Sequence, residues 1–220
     1  LREKLNSEKK IAIIIYNYPP GEDKIGNAAY LDVSESLRKL INTLIKEGYT
    51  SENLPEDKNL AEIFIKNGSV NNPKFTSTDN FNGKLLSKDK YLKYFNSLPT
   101  NLQQEIIEFW GEPIGKIMVE NSSIKLPIIQ LKNIFICLQP SRSTVSGDPN
   151  EYHNKNLPPH HQYLAFYRYI EDIIKADAII HIGTHGTEEF LPGKECAGSH
   201  NDFNLNLLGS LPNIYYYHIT

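Results

Sequence analysis

The chain has 220 residues, 40% of them hydrophobic and 22% charged, enough for one large α/β domain or two small ones and against global disorder. Its 23 basic and 26 acidic side chains give a net charge of -3, and only 4 of the basic residues are Arg, which argues against a dedicated nucleic-acid binder. No apolar run approaches the ~20 residues of a membrane span, the start LREKLNSEKK lacks the apolar core of a signal peptide, and Cys137 and Cys196 match no CxxC pattern, so a cytoplasmic protein with reduced thiols is expected.

Residues 11–16 (IAIIIY) form a continuous β-branched run, as in a strand buried on both faces, and Pro19, Pro20 and Gly21 end it. The loop runs to about Asp32. Leu37, Leu40, Ile41, Leu44 and Ile45 then recur at helical spacing, with Asp32 or Ser34 as N-cap and Gly48 as the stop. Residues 55–67 predict a second helix with Pro55 in its first turn, and 69–84 a polar surface excursion. SKDKYLKYFNSLP and NLQQEIIEFWG predict two short helices, with Trp110 as a packing anchor. NIFICLQP within 126–139 predicts a second buried strand, QYLAFYRYIEDIIKA a helix, DAIIHIG a third strand and PNIYYYHIT a fourth. Strands alternating with helices imply an α/β fold, a mostly parallel sheet with flanking helices of Rossmann-like type, and residues 51–125 read as a mostly helical insertion. Leu1 at the start and an aromatic run near Thr220 suggest an excerpt from a larger multidomain chain. The polar loops 17–32, 139–161 and 183–200 all follow strands, so they are expected on one rim, where such sheets bind ligands.

The densest chemistry lies in HIGTHGTEEFLPGK, residues 181–194. A strand delivers His181, Gly183 and Gly186 permit sharp turns around His185, and Glu189 and Lys194 follow. A His and a Glu on one loop can accept protons or hold a divalent ion. A tight turn with a solvated charge pair is the plainer alternative, and His181, inside an apolar strand, equally suits a buried structural role. The His181/His185 spacing is that of zinc hydrolases, but the two glycines oppose the helix such a site requires. The loop at 19–29 has neither GxGxxG nor GxxxxGK[ST]; Asn27 and the amides near Gly26 are instead candidates for carboxylate groups of a ligand. Gln139 and Arg142 are candidates for an acidic substrate. His153, His160 and His161 precede a helix as ligands, substrate contacts or polar filler. Tyr215, Tyr216 and Tyr217 read as alternating strand positions before a stacking surface.

Several blocks resemble the large subunit of cobaltochelatase and the H subunit of magnesium chelatase: YNYPPGEDKIGNAAYLDVSESL at 16–37, LPTNLQQEIIEFWG at 98–111, IFICLQPSR at 134–142, the long block at 157–195, and LLGSLPNIYYY at 207–217. The resemblance implies insertion of a divalent metal substrate, Co²⁺ or Mg²⁺, into a tetrapyrrole, driven by ATP on two separate AAA+ type subunits rather than on this chain. It puts the catalytic pair of the GxHGxxE pattern on His185 and Glu189, which also serve as transient metal ligands, and the strand histidine on His181. The PGK falls on Pro192, Gly193 and Lys194, and PPH falls at His160/His161. His181, Lys194, Arg142, Gln139, Asn27 and His161 are the expected substrate contacts. Glu188 stands where the family commonly has Leu. PPHHQYLAFYRY and LPGKE lean toward the cobalt branch, GTHGTEEF and PNIYYY toward the magnesium branch. Cobalt insertion into a corrin precursor is the preferred expectation. A magnesium chelatase H subunit acting on protoporphyrin IX, or a non-catalytic tetrapyrrole-binding platform, is the alternative.

Overall fold

A computed structural model of the chain describes residues 3–16, 25, 26, 28, 31–71, 81–142, 154–183, 191–193 and 198–216. At its centre lies β1 (Ile11–Ile15), every residue of which is buried. It pairs in parallel with β6 (Ile134–Leu138) on one side and β7 (Ala178–Ile182) on the other. β8 (Asn213–Tyr216) extends the sheet in parallel beyond β7, and β5 (Ile128–Leu131) closes the opposite edge as an antiparallel hairpin with β6. The strand order is β5-β6-β1-β7-β8.

The two faces of β1 build two cores. Ile11, Ile13 and Ile15 pack with Val33, Leu37 and Ile41 of α1 (Val33–Lys46) and with Ile63 and Phe64 of α2 (Leu60–Lys66). Ala12 and Ile14 pack on the other face against Tyr163–Tyr167 of α5 (His161–Arg168). α5 continues at Tyr169–Ile174 as a wider π-helix that ends at Lys175 in the left-handed conformation. The same face carries α3 (Lys88–Phe95), α4 (Thr100–Trp110), α6 (Phe203–Leu208) and a small antiparallel sheet, in which β4 (Ser123–Leu126) lies between β2 (Lys84–Ser87) and β3 (Val119–Glu120). Among the described residues, segment 51–125 thus holds three helices together with β2, β3 and most of β4. The connection after β1 leaves through α1 and α2 on one face and passes to the other at α3, and the crossover after β6 runs through α5 on that other face. The chain is therefore doubly wound, and its switch point lies between β1 and β7.

The four expected strands are present, and so is the helix after Asp32, whose carboxylate accepts from the Glu35 amide. The helix expected over 55–67 spans only Leu60–Lys66. Asn59 caps it through the Glu62 amide, Arg38 holds the carbonyls of Pro55 and Lys58 in a non-helical lead, and Ser34 Oγ accepts from the Leu60 amide. Cys137 is a free, fully buried thiol whose pKa burial raises. Among the described residues no helix is long and apolar enough to cross a membrane.

Candidate active site

The carboxyl ends of the three central strands stand abreast, with Ile15 level with Leu138 and with Ile182. The backbone extends this register by one residue on each side: Gln139 N donates to Ile15 O at 3.0 Å and Tyr16 N to Ile182 O at 3.3 Å. The three strand ends consequently share one edge, at the switch point.

On the α5 face of that edge, Gln139 is 2% and His181 5% exposed. Such polar groups survive burial only when bonded. Gln139 Nε2 donates to Tyr167 Oη at 2.6 Å and lies 3.4 Å from Tyr163 Oη. Tyr167 Oη lies 3.3 Å from His181 Nε2, and His181 Nδ1 lies 2.8 Å from Asn213 Oδ1. The His181 ring stacks on Tyr215, with centroids 4.5 Å apart and 16° between planes. Register explains the cluster: His181 faces Ile14 on one side and Tyr215 on the other, and α5 crosses this face of the sheet. Asn71 and Gln162 brace the β6 end. Asn71 Nδ2 donates to Gln139 O at 2.8 Å, and Gln162 Nε2 donates to Asn71 Oδ1 at 3.0 Å.

The loop after β7 has two described flanks, and both are pinned. At Gly183 a Cβ would come within 2.7 Å of Tyr16 Cβ, so the strand end packs against β1 only without a side chain. At the other flank Leu191 is buried in the α5-side core with Phe203 and Leu207. A Cβ on Gly193 would meet Asp202 Oδ1 at 2.7 Å, and Asp202 itself accepts from Ser199 N at 2.5 Å and Ser199 Oγ at 2.9 Å.

The histidines ahead of α5 do something else. His160 is its N-cap: Nδ1 accepts from Tyr163 N at 3.2 Å, and Nε2 donates to Ser141 O at 2.5 Å. Burial brings the His160 pKa down from 6.5 to about 4, against the opposing pull of the Ser141 carbonyl. His161 donates from Nε2 to Gly111 O at 2.9 Å and accepts at Nδ1 from Tyr91 Oη at 2.8 Å. Burial lowers its pKa too, with the Gly111 carbonyl opposing. Both rings are therefore neutral at physiological pH, and they line a cavity of about 450 Å³ with Trp110, Ile114, Lys116 and Ile117. Trp110 is anchored by its indole N–H, which donates to Pro158 O at 2.8 Å. Arg142 is fully buried, and its Nη2 donates to Leu157 O at 2.6 Å and Asn154 O at 3.2 Å.

Of the expected site residues, His181 and Gln139 are joined through Tyr167. Arg142 and His161 sit around the start of α5, linked by the Ser141–His160 bond. Asn27, His185, Glu189 and Lys194 lie outside the described residues, as do Glu188, His153, Cys196 and Tyr217. Among the described residues, no group of three or more His, Cys, Asp and Glu could hold a metal ion. Tyr163, Tyr167 and Asn213 were not expected at the site. The two tyrosines stand at i, i+4 on one face of the expected helix, a spacing that does not separate a site from a core, and Asn213 gives no signal, because its partner is set by the register of two distant strands.

The CobN/Magnesium Chelatase family model matches residues 1–220. An uncharacterized protein of Methanocaldococcus jannaschii is 41% identical over 98% of this chain and 18% of its own length. The chloroplastic magnesium-chelatase subunit ChlH of Oryza sativa subsp. indica is 35% identical over 99% of this chain and 15% of its own. The aerobic cobaltochelatase subunit CobN of a Sinorhizobium species is 32% identical over 95% and 16%. The catalytic subunit of cobaltochelatase from Mycobacterium tuberculosis superposes with a TM-score of 0.80 at 29% identity, covering 97% of this chain and 18% of that one. The chain thus spans less than a fifth of the length of these relatives.

Proposed function

The chain belongs to the CobN/magnesium chelatase family, and from that membership we propose that it forms part of a large chelatase subunit that binds a tetrapyrrole and inserts a divalent metal ion into it. The observation that carries the reading is the origin of the HIGTHGTEEFLPGK segment at the switch-point edge, behind a strand end fixed by His181 and Gly183. Ligands of doubly wound sheets bind at such edges.

Metallation removes two pyrrole N–H protons and strips water from the ion. A base within reach is worth ~10²–10⁴-fold in such a step. Glu189 is the base and a transient ligand of the incoming ion, and His185 is the second proton acceptor or ligand. The coordination must be weak and open, since a closed site would retain the ion. Oxygen and nitrogen donors without a thiolate suit that demand. His181 orients the segment. Lys194 pairs with the carboxylates of the macrocycle. Asn27 is a further contact, and Gln139, buried and bonded to Tyr167, supports the edge from beneath. The guanidinium of Arg142 holds the carbonyls of Leu157 and Asn154, and the ring of His161 holds Tyr91 and Gly111, so both support the rim from behind. ATP hydrolysed on two AAA+ type partner subunits supplies the energy.

We favour cobalt and a corrin precursor, on the LPPHHQYLAFYRY and LPGKE blocks and on the likeness to a cobaltochelatase catalytic subunit. Magnesium and protoporphyrin IX are the second reading, favoured by GTHGTEEF and by the 35% identity to a ChlH subunit. The test is to combine the full-length protein with its AAA+ type partners and screen Co²⁺, Mg²⁺ and Ni²⁺ against several tetrapyrroles. ATP-dependent metallation is expected, fastest for Co²⁺ with a corrin-pathway macrocycle. A preference for Mg²⁺ and protoporphyrin IX selects the second reading, and no metallation with any pair contradicts both.

A further inference from the structure

We propose that Tyr167 and Asn213 are positioning residues that lock His181 as the Nδ1–H tautomer, fixing the strand end from which the His185–Glu189 segment leaves. The inference rests on the function proposed above for that segment. Asn213 Oδ1, 2.8 Å from His181 Nδ1, is a carbonyl oxygen and can only accept, so Nδ1 carries the proton. Nε2 is then an acceptor, and the hydroxyl of Tyr167 at 3.3 Å donates to it. Tyr167 Oη in turn accepts from Gln139 Nε2 at 2.6 Å. Every link has a direction and the directions agree: Gln139 to Tyr167, Tyr167 to His181, His181 to Asn213. Which imidazole nitrogen holds the proton is set by the bond the other one makes: the acceptor facing Nδ1 sets the tautomer, and Tyr167 is placed to serve the Nε2 that this leaves as acceptor.

The ring is also fixed in orientation. Tyr215 stacks on it at 4.5 Å, and the Tyr167 ring lies 6.2 Å away at 30°. α5 and β8 converge on this imidazole of β7, and Gln139 at the end of β6 reaches it through Tyr167. Elsewhere β7 fills the same sheet with aliphatic side chains such as Ile179 and Ile182. A bonded polar chain at the strand end specifies one geometry where an aliphatic residue would allow several. Two residues after Tyr167 the helix widens into its π segment, a distortion frequent at functional sites.

Isotope-edited infrared spectra of the full-length protein with ring-labelled histidine read the tautomer directly. The difference between wild type and His181→Gln should carry the Nδ1–H signature. Asn213→Leu should replace it with the Nε2–H signature, and Asn213→Asp, which keeps an acceptor, should retain it. In the reconstituted complex, Asn213→Leu and Tyr167→Phe should each lower turnover at saturating metal and tetrapyrrole by ~10–100-fold, with tetrapyrrole affinity unchanged to within about twofold. Asn213→Asp should restore most of the turnover. Neither loss should add to that of His181→Gln, because all three act through one ring. An Nε2–H signature in the wild type overturns the inference. So do wild-type turnover in both variants or losses that add to that of His181→Gln. Should Asn213→Leu fail to fold, Tyr167→Phe, which removes a single oxygen, carries the kinetic arm. If the wild type metallates nothing, the proposed function fails, and the spectra alone still decide the tautomer.

Discussion

His160 shows how burial gives a side chain a task different from the one its chemistry suggests. Its ring caps α5 with one nitrogen and grips the Ser141 carbonyl with the other, and burial leaves it neutral, with a pKa of about 4. The consequence for stability has a definite sign. Above pH 6.5 the ring is neutral in both folded and unfolded chains, and its contribution is fully present. Below pH 6.5 the unfolded chain takes up a proton that the folded chain refuses until about pH 4, so stability falls across that window. The loss by pH 4 is on the order of 3 kcal/mol. Burial of His161 acts in the same direction. Urea midpoints of wild type and His160→Gln between pH 7.5 and 4.5 check this. The wild-type midpoint should fall faster on acidification than the variant's, and parallel curves contradict it.

The elements that could be read from the sequence are those specified locally. β1, β6 and β7 are short Ile-rich runs interrupted by a single polar residue, His181, and α1 carries both its apolar stripe and its Asp32 cap within a few residues. β2, β3 and β4 have two to four residues each and exist through pairing across a 43-residue segment, and β5 lies directly after Pro127, so none had a local pattern to find. α6 is only six residues long and gave no expectation. The candidate site divides along the same line. The HIGTHGTEEFLPGK segment announces itself by composition, whereas the bonds of His181 depend on where α5 and β8 dock. The seam between α4 and α5 is just as dependent on tertiary packing. Gly115 has φ +70, and a Cβ there would lie 2.7 Å from His161 Cδ2, on a ring held in place by Tyr91 and Gly111. Gly115→Ala should therefore destabilise the protein by about 1–3 kcal/mol through forced displacement of that ring. Chemical denaturation measures it, and an unchanged midpoint would show that the ring can swing aside.

At the scale of the whole molecule, the doubly wound topology sets which loops meet. β1 and β7 are neighbours whose connections depart over opposite faces, and the resulting edge brings residues 16, 139 and 183 side by side. Apolar cores on both faces back that edge, and the Gln139–Tyr167–His181–Asn213 chain lies directly beneath it. Such an edge suits the chemistry proposed for Glu189 and His185, in which two protons must leave as an ion enters. The most direct measurement follows the absorbance of a metal-free tetrapyrrole as it is metallated by the full-length protein, its AAA+ type partners and ATP, with wild type and Glu189→Gln compared side by side. The variant should bind the tetrapyrrole as the wild type does and metallate it ~10²–10⁴-fold more slowly. Equal rates in the two proteins would contradict the role given to Glu189 and, with it, the assignment of metal insertion to this edge of the sheet.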